Sequence, residues 1–416
     1  MTTRRDARPG PPLTPRGWGV LAVGIACLPL AAIIGASEAQ YVGVALLSLL
    51  AACWFGARNA GPGVRIARRL SEDSVEVGSE TTVELRISVE PPRRAPRGRW
   101  RDILPPGVTG DASGPLPRDR GPQARVAYAV TGVRRGRHPV GPLEIEATDP
   151  FGLWRRTASL GEPTPVLVVP RARWLEPLPR SHGDAGDGGA SEERRGRGSD
   201  NLIPRPYAPG DSMRRIHWRA SAHRGSFMVR DEEEQTVPSA AVMLDLAAPR
   251  WPAEARSGED AGFEAAVTAC VSAAWRLVTD GFAVRVTDHA GRPLADLAAP
   301  DGSVLESLER AFATVMPDRA DAGGDGHGAG FALPASTGPL VVVCGSTDDR
   351  LAADLDALGR HSSLPVLLTP TPQRDALDRL RDGGWAAARL GDDVTASWAA
   401  AFDRLSAAPG GDRVDR

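Results

Sequence analysis

Residues 339–345 read PLVVVCG. Unbroken apolar residues closed by a glycine fit a strand buried on both faces, where the usual alternation of polar and apolar positions disappears. Runs on either side share a rhythm. AVMLDL at 241–246, Phe282–Thr287, 364–369 and 385–390 read as strands. Between and after them, Phe263–Val278, Val304–Val315, 349–360, 373–382 and 394–406 read as helices; in the first, Phe263, Val267, Val271 and Ala274 recur near helical spacing. Strand–helix alternation predicts a mostly parallel sheet covered by helices, an α/β domain over 201–407 with a disordered tail at 408–416.

The start of the chain is of another kind. Gly17–Ser37 and Ala39–Ala57 carry no charge except Glu38 between them. Each is long enough to cross the hydrocarbon as a helix, so 17–57 is expected to form a transmembrane hairpin in contact with the bilayer. Arg4, Arg5, Arg8 and Arg16 precede it, and Arg58, Arg65, Arg68 and Arg69 follow it. The positive-inside rule then gives a two-pass protein of the cell membrane, with 1–16 and everything after Ala57 in the cytoplasm. A cleaved signal peptide would be shorter in its apolar core and would not be followed at once by a second span.

From 64 to 170 the pattern is that of short strands. Val75, Val77, Val83, Leu85, Ile87 and Val89, then 124–130, 142–147 and 165–169, are separated by Pro/Gly clusters at 91–98, 105–122 and 132–142. An antiparallel β-sandwich is expected. Asp149-Pro150-Phe151-Gly152 reads as a turn in which the aspartate bonds its own backbone. Residues 181–200, with six glycines and alanine as their only hydrophobic residue type, read as a flexible linker. The chain is therefore multi-domain.

Composition excludes several functions. With 416 residues and a net charge of −2, no global charge excess points to nucleic acid. All 50 basic residues are arginine, which together with 46 glycines and 37 prolines fits a GC-rich coding bias. The 4 cysteines are scattered and form no CxxC pair, so neither a disulfide framework nor a structural zinc site is expected. No GxGxxG follows the first α/β strand and no GxxxxGK[ST] occurs anywhere. Neither a dinucleotide nor a P-loop site is supported, and no cofactor is assigned. Ligands of open α/β sheets bind beyond the carboxyl ends of the strands, which draws attention to Asp245, Ser346, Thr347 and Asp348.

Residues 205–234, RPYAPGDSMRRIHWRASAHRGSFMVRDEEE, join the linker to the first α/β strand. Arg205, Tyr207, Gly210, Asp211, Arg214, Ile216, Trp218, Ala222 and Gly225 stand in the pattern Arg-x-Tyr-x-x-Gly-Asp-x-x-Arg-x-Ile-x-Trp followed by Ala-x-x-Gly. This resembles the signature of the family known as domain of unknown function 58. The upstream RRGRHPVGPLEIEATDPFGLWRR at 134–156 is similar to that family's sequences too. The resemblance implies an α/β domain similar to von Willebrand factor A domains. It also implies association with MoxR-type AAA+ ATPases and membrane-bound transglutaminase-like proteins. Some von Willebrand A domains hold Mg²⁺ with Asp-x-Ser-x-Ser; here those places hold Asp245, Ala247 and Pro249, so two hydroxyl ligands are missing.

Three readings of the signature compete. A nucleic-acid surface would be broadly basic, whereas Asp231–Glu234 follow at once. An acid–base set of Asp211, His217 and His223 lacks a nucleophile in a strand–turn–helix setting. The third is a hydrogen-bonded brace: Asp211 or Ser212 caps a short helix through Arg214–Trp218, Ile216 turns inward and Trp218 is partly buried. That surface, comprising Arg205, Tyr207, Gly210, Asp211, Arg214, Ile216 and Trp218, would also dock a partner. The expectation is a membrane-anchored cytoplasmic scaffold working with a MoxR-type AAA+ ATPase in envelope assembly. The rival is a metal-dependent or hydrolytic enzyme acting at the strand ends.

Overall fold

The computed structural model describes residues 13–59, 64–89, 97–116, 123–179, 202–207, 213, 216, 218–232, 237–298, 302–318 and 338–406. The expected linker at 181–200 and tail at 408–416 lie outside them, as do Gly210, Asp211 and Arg214. The chain divides into two compact units, Met1–Arg171 with Glu309–Val315, and Ala172–Leu308 with Met316–Arg416.

Two helices open the first unit, α1 (Pro15–Ile34) and α2 (Ser37–Asn59). Thr14 caps α1, its Oγ1 accepting the Gly17 N–H at 3.1 Å, and Pro15 follows where a missing N–H costs nothing. Gly35, at φ 72°, ends α1 in the left-handed conformation, its N–H donating to the Ala31 carbonyl. The helices approach closely at two glycines. A Cβ on Gly43 would stand 3.0 Å from the Gly24 carbonyl oxygen, and one on Gly24 would stand 3.1 Å from Leu47. Small residues at a helix crossing are how apolar helices gain contact without a hydrophobic driving force. Ile33, Ile34, Tyr41, Val42 and Val44 are exposed, and both helices are long and apolar enough to span a membrane.

Eleven strands follow: β1 (Val64–Leu70), β2 (Ser74–Glu76), β3 (Glu80–Val89), β4 (Arg97–Asp102), β5 (Val108–Thr109), β6 (Ser113–Pro115), β7 (Gln123–Gly132), β8 (Gly136–Val140), β9 (Leu143–Thr148), β10 (Arg155–Leu160) and β11 (Thr164–Val169). They form sheets in the orders β1-β3-β7-β5, β10-β9-β4-β6 and β2-β11-β8. Pairing is antiparallel except for β11 with β2, which is parallel. Strands β5, β6 and β8 fall within clusters that the sequence reads as separators. Pro139 of β8 sits opposite Pro165 in an edge strand, where a missing N–H is tolerated.

Val83, Leu85, Trp100, Tyr128, Val130, Leu143 and Val168 fill this core. One buried polar network crosses it. Arg68 of β1 donates through Nε and Nη2 to both oxygens of Asp102 at the end of β4 (3.0 and 2.8 Å), and Tyr128 of β7 donates to Asp102 at 2.5 Å. Arg68 Nη1 donates to the Thr164 hydroxyl of β11 at 3.1 Å. Four strands are thus tied through one fully buried carboxylate. Breaking a buried pair from one side is far costlier than its net worth.

Asp102→Asn is therefore expected to lower stability by about 3 kcal/mol, read as a loss of Tm for the β unit. Burial, then the hydrogen bond to Asp102 and its negative charge, push the Tyr128 phenol up. The folded state therefore favours the neutral phenol. This contribution is complete below the unfolded value of about 10 and is lost as pH rises above it. Thermal melts should show the β unit weakening above pH about 10, and Tyr128→Phe should flatten that alkaline loss.

In the second unit, β12 (Leu202–Pro206) pairs with β13 (Met228–Glu232), and α3 (Trp218–Arg224) lies between them in sequence. The main sheet comprises β14 (Ser239–Leu244), β15 (Ala283–Asp288), β16 (Pro293–Leu297), β17 (Pro339–Val343), β19 (Leu364–Thr369) and β21 (Ala386–Arg389). Its order is β16-β15-β14-β17-β19-β21. All pairs are parallel except β15 with β16, so the sheet is mixed, with an antiparallel edge. The two-residue strands β18 (Ser346–Thr347) and β20 (Thr371–Pro372) pair just beyond it.

PLVVVCG lies at the centre of this unit: every residue of β17 is buried, as two-sided coverage requires. Leu340, Val342 and Cys344 pack with Leu351, Ala352 and Leu355 of α6 (Asp349–Gly359) and with Ala376, Leu377 and Leu380 of α7 (Arg374–Asp382). The sheet also contacts α4 (Ala261–Thr279) and α8 (Val394–Ser406); of α5 (Val304–Phe312), residues 304–308 belong to this unit and 309–312 to the first. Helix α4 would pass by length and composition as a membrane span. Phe263, Val267, Cys270, Val271, Ala274 and Leu277 are instead wholly buried, making it a core helix.

Candidate functional site

The signature residues that the structure describes converge on β13. In register, Arg205 of β12 stands opposite Val229 from one side. Ile216 forms a β-bridge with the same Val229. The Tyr207 N–H donates to the Phe227 carbonyl at 2.9 Å. Ile216, Met228 and Val229 are buried, 3 % exposed or less. Ser221 of α3 lies beneath, its Oγ accepting the Met228 N–H at 2.8 Å. Gly225, at φ 68°, makes the left-handed turn from α3 towards β13, its N–H donating to the Ser221 carbonyl.

Two local expectations need correction. Ser212, Arg214, Arg215 and His217 lie outside the described residues; the described helix is Trp218–Arg224, and Ile216, expected inside it, is in a strand-like bridge. Its β-branched side chain suits the pleated, buried position opposite Val229. Nor is Trp218 partly buried: at the first position of α3 it is 65 % exposed.

Three aromatic rings result on the surface. Phe227 is 54 % exposed and stands edge-on to both Tyr207 and Trp218, with centroids 6.4 Å apart in each pair. Met213 is exposed as well. Edge-to-face pairs add about 0.5–1.5 kcal/mol beyond area burial, which holds the rings in fixed relation to one another. Rigid aromatics on an anchored frame are the composition of binding hot spots. Phe227 lies outside the signature positions read from sequence; the signal for it was an aromatic directly preceding a buried β-strand.

The second place of interest is the crevice between β14 and β17, where the strand order reverses and α/β sheets usually bind ligands. Here the chain fills it. Asp245 is fully buried; its Oδ1 accepts the Ala247 N–H at 2.9 Å and its Oδ2 accepts Nε of Arg250. Trp251 Nε1 donates to the Asp245 carbonyl at 2.7 Å, and its ring stands edge-on to Phe263. Gly345, after β17, has no room for a Cβ, which would strike the Arg250 carbonyl. Residues 248–251 thus plug the crevice.

The other candidates at these strand ends are structurally engaged. Asp348 caps α6, accepting the Leu351 N–H at 2.8 Å. Thr347 is buried between Cys344 and the Thr369 hydroxyl, which donates onward to the Gly345 carbonyl. Burial, then the charge of Asp245, push the Cys344 thiol up to about 12, so it is protonated and unsuited to nucleophilic attack. His289 approaches Asp245 with Nδ1 at 3.8 Å and Asp318 with Nε2 at 3.9 Å. Asp288 accepts Arg292 Nε at 2.5 Å. An Asp-x-Ser-x-Ser cation site needs Asp245 to be open, and in this chain Arg250 supplies its positive charge.

Arg250→Ala leaves Asp245 buried beside a void. The expected cost is about 3 kcal/mol, seen as a fall in Tm of the α/β unit. The double change Asp245→Asn with Arg250→Met should recover most of that loss, since no charge is then left unpaired.

Residues 204–294 match the family described as "Protein of unknown function DUF58". No curated protein matches this chain. Among solved structures, similarity is found to a cohesin module from a family 33 glycoside hydrolase of Clostridium perfringens ATCC13124 (12 % identity, 26 % of this chain and 98 % of that one, TM-score 0.19). Domains 4 and 5 of the S-layer protein SbsC match at 14 % identity over 26 % of this chain and 53 % of that one, with TM-score 0.15. A conjugate transposon protein from Bacteroides vulgatus matches at 13 % identity over 23 % and 83 %, with TM-score 0.14. Likenesses this slight say nothing about the fold.

Proposed function

Residues 204–294 belong to the family of proteins of unknown function DUF58, and on that premise we propose that the chain is a membrane-anchored scaffold whose signature surface docks a cytoplasmic partner. The partner is a MoxR-type AAA+ ATPase, and the joint task is assembly of envelope proteins or complexes. The hairpin at 17–57 is the anchor, both chain ends face the cytoplasm, and the α/β domain is of the von Willebrand factor A kind. The sheet order, with its single antiparallel edge, supports that kinship.

One observation carries the reading. Tyr207, Trp218 and Phe227 expose their rings together while Ile216, Met228 and Val229 directly beneath are buried. Exposed Trp and Phe forgo about 1.5–3 kcal/mol each that burial would supply, a cost offset when a partner covers them. The plugged crevice at Asp245 supports the same choice over the enzyme alternative.

The test is photo-cross-linking in native membranes with the probe at Met213 or Ala222. A MoxR-type ATPase should be recovered, and Trp218→Ala with Phe227→Ala should reduce recovery at least about tenfold, the size expected for two hot-spot rings. Undiminished capture by that folded double variant would contradict the docking surface.

A further inference from the structure

The β-sandwich carries a loop that the membrane hairpin holds. Asp149–Trp154 connects β9 to β10, and its carboxylate organises it: Asp149 accepts the N–H groups of Phe151 (2.9 Å), Leu153 (2.6 Å) and Trp154 (2.6 Å). The loop is then clamped to the first turn of α1. The Thr14 N–H donates to the Leu153 carbonyl at 2.9 Å, the Thr14 hydroxyl donates to the Gly152 carbonyl at 2.6 Å, and Leu13 bridges Trp154. Gly17 is required at this contact, because a Cβ there would collide with the Leu153 carbonyl. On α2, Trp154 Nε1 donates to the Leu50 carbonyl at 3.0 Å, and Leu153 packs with Leu50 and Cys53.

These contacts fix the depth of the loop. The apolar span of α2 runs Ser37–Gly56, so Leu50 lies six residues inside its end. At 1.5 Å per residue that is about 9 Å along the helix, within the depth at which interfacial segments bury their apolar side chains. Thr14 caps the first residue of the other span, Pro15–Ile34. A loop bonded to both positions cannot stand clear of a bilayer that those helices cross. Its tip is nonetheless open: Phe151 is 59 % exposed. Trp18, Trp54 and Phe55 are exposed on the two helices near the same ends, and Arg16, Arg155 and Arg156 are exposed beside them. Aromatics flanked by arginine are the composition of a membrane–water boundary.

We infer that Asp149–Trp154 is an interfacial wedge, a third membrane contact of this chain, in which Phe151 enters the headgroup and upper acyl layer. Its occupant is the lipid bilayer itself. Asp149 is compatible with that layer because three N–H groups satisfy it, and the Trp154 indole is compatible because the helix carbonyl accepts its proton. The wedge would add a membrane contact of the strand region's own to the contacts through which Thr14 and Leu50 already hold it to the hairpin. This inference rests on the membrane-anchored reading of 17–57.

The experiment uses the full chain with Cys27→Ser, in nanodiscs of phosphatidylcholine with a minor fraction of phosphatidylglycerol. Nitroxide labels are placed singly through Phe151→Cys, Val44→Cys as the in-membrane reference and Arg360→Cys as the aqueous one. All three positions are exposed, so labelling leaves the fold intact. Power-saturation EPR then compares collisions with oxygen and with a water-soluble nickel chelate. The expected result is nickel accessibility at 151 about threefold or more below that at 360, with oxygen accessibility between those at 44 and 360. A label at 151 as aqueous as that at 360, while 44 is lipid-exposed, overturns the wedge alone. An aqueous label at 44 overturns the membrane anchor and the wedge with it.

Discussion

The ion pair between Asp245 and Arg250 determines what the α/β unit is able to do. A carboxylate at the end of the central strand, beside the reversal of strand order, is where this architecture ordinarily offers a ligand its charge. In this chain the carboxylate is fully buried and its counter-charge comes from five residues downstream. The same short segment brings Trp251 over the crevice and presses the Arg250 backbone against Gly345. The counter-charge to Asp245 is thus supplied by the chain itself. In the proposed reading the interacting surface is the signature face instead.

That surface is built by a different division of labour. Val229 is paired from both sides, by β12 and by Ile216, and this small buried layer supports the exposed rings of Tyr207, Trp218 and Phe227. Among the strands of the first unit, buried Asp102 joins four. Each unit thus holds a buried carboxylate in an internal ion pair and leaves aromatic side chains exposed, Phe227 in one and Phe151 in the other.

Much of this was legible in the sequence. PLVVVCG announced a two-sided strand, the hairpin followed from charge-free runs, and Asp149 bonds its own turn as its place before Pro150 and Gly152 suggested. Inward Ile216 followed from reading the signature as a brace, and it is buried. What escaped was tertiary. β16 is short and holds a proline, one aspartate and two leucines in a pattern without clear alternation, so only its pairing with β15 makes it a strand. Arg250 was one arginine among 50, and nothing local distinguishes the one that turns back to Asp245. Trp218 was placed partly inside because tryptophan usually is; the position of the α3 start decides otherwise.

The central claim is that binding occurs on the signature face while the strand ends stay closed. Hydrogen–deuterium exchange of the full chain in membranes, with and without the MoxR-type ATPase, tests both halves at once. The account predicts added protection over 213–229 on mixing, with 245–251 and 345–348 slow to exchange and unchanged. Protection gained at the strand ends, with none over the aromatic face, would contradict it.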